Sequence, residues 1–125
     1  MTENQSEDDQ ALYYRRKYRG LISLGNKIRQ VDSDFLSIIY PPGVAQPCEA
    51  ISEKPERSFT YSGRGNTVGI ISDGSSALGL GNVGPRATLP ILESKAVFFK
   101  NMAGLGAYPL AMEGADTDEI VEACE

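Results

Sequence analysis

Apolar residues recur every three or four positions between residues 85 and 103, a spacing typical of a helix with one buried face. The positions that make this face are Leu89, Leu92, Ala96, Phe99 and Ala103. Gly84 and Pro85 suit the start of a helix, and Gly104 suits its end. The pattern therefore predicts one long helix, the strongest element in the chain.

Two apolar runs, at 67–72 and 107–112, lie on either side of this helix and predict strands. A further short strand is predicted at 77–80, and a last helix is predicted with Asp116 or Thr117 as its cap. An order of strand, helix, strand and helix favours an α/β domain with buried, parallel strands.

The first half of the chain carries weaker helix signals. Helices are predicted from Asp8 or Asp9 to Gly20, from Asp32 or Ser33 to Tyr40, and over most of 43–63. Residues 1–9 are polar and acidic without periodicity, so we expect a disordered tail there and a single domain over 10–125.

Charge and residue usage exclude several functions. The 125 residues carry a formal net charge of −5 and no histidine. Nucleic-acid binding needs an excess of Lys and Arg, and the commonest zinc sites and catalytic triads need histidine.

No stretch approaches the roughly 18 apolar residues of a membrane span, and the N-terminus does not resemble a secretory signal. We expect a cytoplasmic protein with no nucleic-acid or membrane partner, whose cysteines, Cys48 and Cys124, form no disulfide.

The segment GLGNVG, residues 79–84, matches the G-x-G-x-x-G pattern of dinucleotide-binding folds. That pattern normally follows a strand directly and precedes an acidic residue by about 20 positions. Here the strong strand ends well before Gly79, Glu113 comes too late, and Pro85 removes an N–H from the helix start. A tight glycine-dependent loop is the favoured interpretation, with a nucleotide site as the alternative.

The chain resembles the N-terminal domain of malic enzymes of the shorter bacterial and archaeal type. The resemblance rests on YPPGVAQPCEAI and GNTVGIISDGSSALGLGNVGPRATLPILESKAVFFKNMAGLGAYPL, which follow the family's blocks in order and spacing from about Tyr14 onward. It implies an α/β three-layer domain with a small, mostly parallel sheet of the amino-acid-dehydrogenase-like type. Two residues depart from the family pattern: Pro41 stands where the pattern has threonine, and Ser94 where it has glycine.

Malic enzymes oxidise and decarboxylate malate to pyruvate and CO2, and the resemblance implies which residues do this. Lys95 corresponds to the family's base, which also binds substrate, and Tyr40 corresponds to its proton donor. The residues alone favour a surface lysine and a packing aromatic, and Lys95 needs partial burial to act as a base. Asp73 follows a strand, where α/β sites gather, so it is a candidate substrate ligand; bonding within its own turn is an equal alternative.

The resemblance also implies cofactors and partners. The complete enzyme uses NAD or NADP and Mg²⁺ or Mn²⁺, but the family's metal-binding carboxylates and its Rossmann domain follow the matched region. We therefore expect a truncated chain that binds no cofactor or metal alone, and in which no residue is assigned to either. Expected partners are malate or pyruvate, a second copy in a homodimer, and a separate chain that binds metal and NAD(P). The candidate dimer surfaces are residues 13–18 and 89–99, and the family's lysine acts across the subunit interface.

Two functions remain open at this point. One is the substrate-side catalytic domain of a malic enzyme, inactive as an isolated chain. The other is a free-standing module, derived from malic enzyme, that binds a dicarboxylate or another protein.

Overall fold

The computed structural model describes residues 7–114 and 116–124, which form two compact units. The first unit contains the chain up to Ile22 and again from Val68 onward, and the second unit contains Ser23–Thr67.

The elements follow one another along the chain as six α-helices, two strands and two 3₁₀ turns within the described residues. They are α1 (Glu7–Tyr18), α2 (Ser33–Ile39), α3 (Ala45–Glu53), a 3₁₀ turn (Pro55–Arg57), α4 (Ser58–Tyr61), a second 3₁₀ turn (Gly63–Gly65), β1 (Thr67–Ser72), α5 (Gly84–Ala103), β2 (Gly106–Ala111) and α6 (Thr117–Glu122).

The core of the first unit lies between α5 and a parallel sheet of two strands, β1 and β2. Leu92 and Ala96 on α5 are buried against Ile70 on β1. Partly buried side chains from outside the helix complete this cluster: Ile22, Ala107 and Ala111. The predicted α/β class and small parallel sheet are confirmed.

The buried face of α5 is narrower than its sequence pattern indicates. Leu92 and Ala96 are buried as predicted, and Thr88 joins them four residues earlier. Leu89 and Phe99 remain 38% and 36% exposed. A two-stranded sheet covers only one row of a helix, so the neighbouring rows of α5 stay on the surface of the unit.

The segment 77–80 is a turn, so the predicted strand there is wrong. Leu80 N donates to the Ala77 carbonyl over 2.7 Å, and Ala77 N donates to the Gly81 carbonyl over 3.0 Å. Leu78 has a φ of 48°, which belongs to the left-handed region and is incompatible with an extended strand.

The predicted start of the last helix agrees with the structure. The aspartate before α6, Asp116, accepts from Glu119 N, and the Glu119 carboxylate accepts from Asp116 N, so the two residues form a capping box.

Of the predicted tail, residues 1–6 lie outside the described residues, whereas residues 7–9 belong to α1.

The second unit consists of short helices and turns held by local bonds. Asp32 caps α2 by accepting from Phe35 N over 2.8 Å. Arg57 donates to the Ala50 carbonyl and pairs with Glu53, which fastens the first 3₁₀ turn to α3. Among the described residues of the whole chain, no helix is both long and apolar enough to cross a membrane.

The packing of α5 predicts which helix residue stabilises the first unit. Leu92 is 2% exposed, so Leu92→Ala should lower the free energy of unfolding by about 2–5 kcal/mol through lost apolar burial and the cavity left behind. Leu89→Ala, on the same helix, is the matched control and should cost much less. Denaturant unfolding monitored by circular dichroism measures both, and equal losses would contradict this packing.

Candidate functional site

The structure places the predicted site residues in both units. Lys95 on α5 and Asp73 in the turn after β1 belong to the first unit, whereas Tyr40 belongs to the second. No hydrogen bond or ion pair among the described residues joins Lys95 to Asp73. Each residue is therefore considered in its own surroundings.

Lys95 projects from α5 beside the buried row and is itself exposed. Its neighbour along the chain, Ala96, belongs to the core, and one residue of helix turns the side chain by about 100° away from it. The ammonium has no hydrogen bond or ion pair with any residue that the structure describes. The partial burial expected for Lys95 is not observed, because the sheet lies under the next row of the helix.

An open groove of about 540 Å³ runs along the outer face of α5 at Lys95. Its walls are apolar except for two cations, Arg15 and Lys95, and one hydroxyl. The residues that line it are Arg15, Leu78, Pro90, Ile91, Ser94, Lys95 and Phe98. Since Arg15 is bonded to acceptors on α5, the Lys95 ammonium is the cation available to an anionic ligand here.

Arg15 is a residue whose role the sequence did not indicate. Arg15 belongs to the basic last turn of α1, yet its side chain is only 26% exposed. Its guanidinium donates to Glu93 over 3.2 Å, to the Pro90 carbonyl over 2.8 Å and to Ser94 Oγ over 2.7 Å. Such a pairing joins residues far apart in the chain, so no local spacing predicts it.

The Asp73 carboxylate caps its own turn. Ser75 N donates to Asp73 Oδ1 over 3.0 Å, and Gly74 N donates to Ser72 Oγ over 3.1 Å. The bond from the Ser75 backbone, followed by that from the Ser75 hydroxyl, lowers the pKa of Asp73 below its ordinary value. The turn role is thus present in the structure, and the substrate role of Asp73 stays a prediction.

The glycine loop before α5 contains the G-x-G-x-x-G match and is the candidate dinucleotide site. A phosphate at a helix start needs free backbone N–H groups. Val83 N donates to the Gly74 carbonyl and Gly84 N donates to Asn82 Oδ1, each over 3.0 Å, while Pro85 has no N–H. A side chain at Gly74 would collide with the Gly84 carbonyl, so the two loop ends lie in contact. The start of α5 therefore fits a pyrophosphate poorly, because the N–H groups of Val83 and Gly84 are already bonded and Pro85 has none.

The fit to a divalent cation is also poor. Over residues 7–114 and 116–124, no group of three or more Asp, Glu, Cys or His side chains is placed to hold a metal ion. Cys48 and Cys124 are both exposed free thiols. No chemical step of a metal ion is therefore assigned to this chain.

Tyr40 ends α2, where its N–H donates to the Leu36 carbonyl over 2.8 Å. Its side chain is 70% exposed, so it is not the packing aromatic that its position at a helix end would favour. Pro41 and Pro42 follow directly and prevent the helix from continuing. The phenol is thus presented at the surface of the second unit.

The first unit is thus an α/β domain in which α5 connects two parallel strands and carries Lys95 on its exposed side. The chain matches the family described as malic enzyme, N-terminal domain, over residues 22–123, and it belongs to that family. The resemblance in the sequence is therefore confirmed.

Relatives and solved structures agree. The chain is 41% identical over 114 residues to a bifunctional malic/malolactic enzyme of Bacillus subtilis, covering 91% of this chain and 28% of that protein. It is 43% identical to an NAD-dependent malic enzyme of Geobacillus stearothermophilus, covering 82% of this chain and 22% of that one. The NAD-dependent malic enzyme of Thermotoga maritima superposes with a TM-score of 0.86 at 40% identity, over 90% of this chain and 32% of the other. The chain thus spans about a quarter of the length of these curated relatives.

The Asp73 turn predicts a measurable pH dependence. Because the folded pKa is lowered, this carboxylate stabilises the fold at pH above its unfolded value, and that stabilisation is lost as the pH falls through the folded pKa. A ¹³C NMR titration should place the Asp73 midpoint below 3.8, the ordinary value. Asp73→Asn should weaken the loss of stability in acid.

The matched variants separate the two bonds from Ser75. Ser75→Ala keeps the backbone N–H, which is the larger cause of the lowered Asp73 pKa, so most of the decrease in this pKa should remain. Ser75→Pro removes that N–H and should return the midpoint towards 3.8. An Asp73 midpoint at or above the ordinary value in the unaltered chain would contradict this account of the turn.

Proposed function

We propose that this chain is the substrate side of an NAD(P)-dependent malic enzyme, which converts malate to pyruvate and CO2. The observation that carries the proposal is the unpaired Lys95 ammonium at the groove on α5, in a chain of this family. Homologous proteins are named as NAD- or NADP-dependent malic enzymes, which supports a nicotinamide cofactor for the complete enzyme. When bound, that cofactor accepts the hydride.

In the proposed reaction Lys95 removes the proton of the malate hydroxyl, and Tyr40 gives a proton to the carbon of the enol formed by decarboxylation. A phenol keeps its proton in neutral water and can serve as the donor. An ammonium can orient a carboxylate by charge, but it becomes a base only after desolvation or a nearby positive charge favours its neutral form. Since Lys95 is exposed in this chain, we propose that the complete enzyme either covers it or places a positive charge beside it.

We propose a homodimer as the assembly that covers part of this surface. Large apolar side chains are exposed on both candidate surfaces, which supports an interface on α1 and α5. They are Tyr13, Tyr14 and Tyr18 on α1, and Leu89, Phe98 and Phe99 on α5. Sedimentation velocity of the chain measures its oligomeric state directly, and a monomer at high micromolar concentration would contradict the homodimer.

The cytoplasmic location also stays a prediction.

A second function, a module that binds a dicarboxylate without converting it, is favoured by one observation. The described residues present a free lysine but no arrangement that fits a metal ion or a dinucleotide phosphate. Such a module would bind malate and depend on Lys95, yet it would not support turnover in any combination.

The first test of the proposed function uses the chain alone. With malate, Mn²⁺ and NAD or NADP, we expect no turnover above that of Lys95→Ala, because the hydride acceptor and the cation have no site among the described residues. Absorbance of the reduced cofactor at saturating malate is the measurement. Turnover that depends on Lys95 would contradict the expected inactivity of the isolated chain.

The second test places this chain in a complete enzyme. The matched segment of the Bacillus subtilis bifunctional malic/malolactic enzyme is replaced by this chain, and kcat is measured. We expect an active chimera in which Lys95→Ala and Tyr40→Phe each lower kcat by about 10²–10⁴, the usual contribution of a general acid or base.

The matched control is Lys100→Ala. Lys100 is also an exposed lysine of α5, but its ammonium bonds the Gly104 carbonyl at the helix end, so kcat should not change. A folded but inactive chimera, or a Lys95→Ala effect no larger than that of Lys100→Ala, would contradict the catalytic proposal. Malate binding by such a chimera without turnover would favour the binding module.

A further inference from the structure

The guanidinium of Arg15 joins three acceptors that lie on one turn of α5. The Nη2 atom donates to the Pro90 carbonyl and to Ser94 Oγ, and Nη1 donates to Glu93 Oε2. Glu93 Oε2 also accepts from Leu21 N over 3.1 Å. The same side chains therefore fasten both α1 and the segment after it to the helix.

This turn of α5 is the one that most needs an external contact. Pro90 lies inside the helix and has no N–H, so the carbonyl four residues earlier loses its helical hydrogen bond. Ser94 Oγ donates to the Pro90 carbonyl over 2.9 Å, a back-bond of the kind that bends helices. Arg15 contacts both partners of that back-bond, so it determines the geometry of the turn.

Lys95 is the next residue after this turn. Arg15, Pro90, Ser94 and Lys95 all line the same groove, so the bonded turn forms the wall from which the lysine projects. Because a helix is stiff over one turn, the direction of the Lys95 side chain depends on the orientation of 90–94.

We propose that Arg15, acting through Ser94 and Pro90, is a positioning residue for Lys95. The inference rests on the proposed function, in which Lys95 is the base. Arg15 does not touch the substrate in this proposal; it holds the lysine-bearing turn of α5 in one orientation. The malic enzyme pattern has glycine at the position of Ser94, and glycine has no hydroxyl. The bond from Arg15 to the Ser94 hydroxyl is therefore a feature of the present sequence.

A lysine cannot replace Arg15 in this role. The planar guanidinium presents donors on separate nitrogens and reaches a carboxylate, a carbonyl and a hydroxyl at the same time, whereas an ammonium donates from a single point. Arg15→Lys should therefore keep the charge and lose the positioning.

The first experiment measures amide hydrogen exchange in the full chain. Arg15→Ala and Arg15→Lys should raise exchange at residues 94–98 by about tenfold or more through local opening, with the amides of β1 unchanged. Ser94→Ala removes one acceptor of Arg15 but leaves Glu93 and the Pro90 carbonyl, and it should produce a smaller rise at the same amides. Arg16→Ala, at the exposed neighbouring position, is the control and should change neither region.

The second experiment measures kcat in the chimera described above. Arg15→Ala should lower kcat by about 10- to 100-fold, as a misplacement near 1 Å does, and Arg15→Lys should not restore it. In the Lys95→Ala background, Arg15→Ala should lower the residual rate no further, because residues that act as a unit are not additive. A residue that only stabilises the fold would lower both rates alike.

The outcomes separate this inference from the function on which it rests. If Lys95→Ala impairs the chimera while Arg15→Ala resembles Arg16→Ala, the positioning role is wrong and the proposed function stands. An equal effect of Arg15→Ala in both backgrounds also overturns positioning. If Lys95→Ala has no effect on the chimera, the proposed function fails and the positioning role fails with it.

Discussion

The packing of one helix on two strands is the contact on which the rest of the first unit depends. Leu92 and Ala96 hold α5 against Ile70, and the candidate base lies between them in sequence. With 3.6 residues per turn, Lys95 must lie beside the buried row and cannot move without it. The core residue Ala96 and the residue that would perform the chemistry, Lys95, are therefore adjacent positions of one helix, and α5 cannot adjust one without the other.

The loop between β1 and α5 shows how a motif can suit two structures. The glycines of 79–84 satisfy a nucleotide fingerprint, yet they allow the chain to reverse within a few residues and bring Gly74 against the Gly84 carbonyl. That reversal uses the N–H groups of Val83 and Gly84. A loop closed on itself positions the start of α5 well, and for the same reason Val83 and Gly84 have no free N–H for a phosphate.

Local patterns predicted most elements of this chain, and long-range contacts account for what they missed. The spacing of apolar residues and the end signals identified α5, both strands and the capped start of α6, because these depend on near neighbours. The strand at 77–80 was wrong because Leu78 adopts a left-handed conformation that a run of apolar letters does not reveal. The contact of Arg15 with Ser94 joins residues 79 positions apart, so no local spacing predicts it. The exposure of Lys95 depends on how narrow the sheet beneath α5 is, which the spacing of residues along the helix does not indicate either.

The exposure of Lys95 links catalysis to assembly under the proposed function. Under that function Lys95 acts as a base once other parts of the enzyme exclude solvent from the groove or place a positive charge beside it. The same groove exposes Leu78 and Phe98, which are 81% and 62% accessible and gain free energy when covered. Burial of these apolar walls would thus drive the step that desolvates the lysine. Because Arg15 is already bonded to α5, it would keep the turn 90–94 fixed while that cover forms, so activation of Lys95 would require no rearrangement of the helix that carries it.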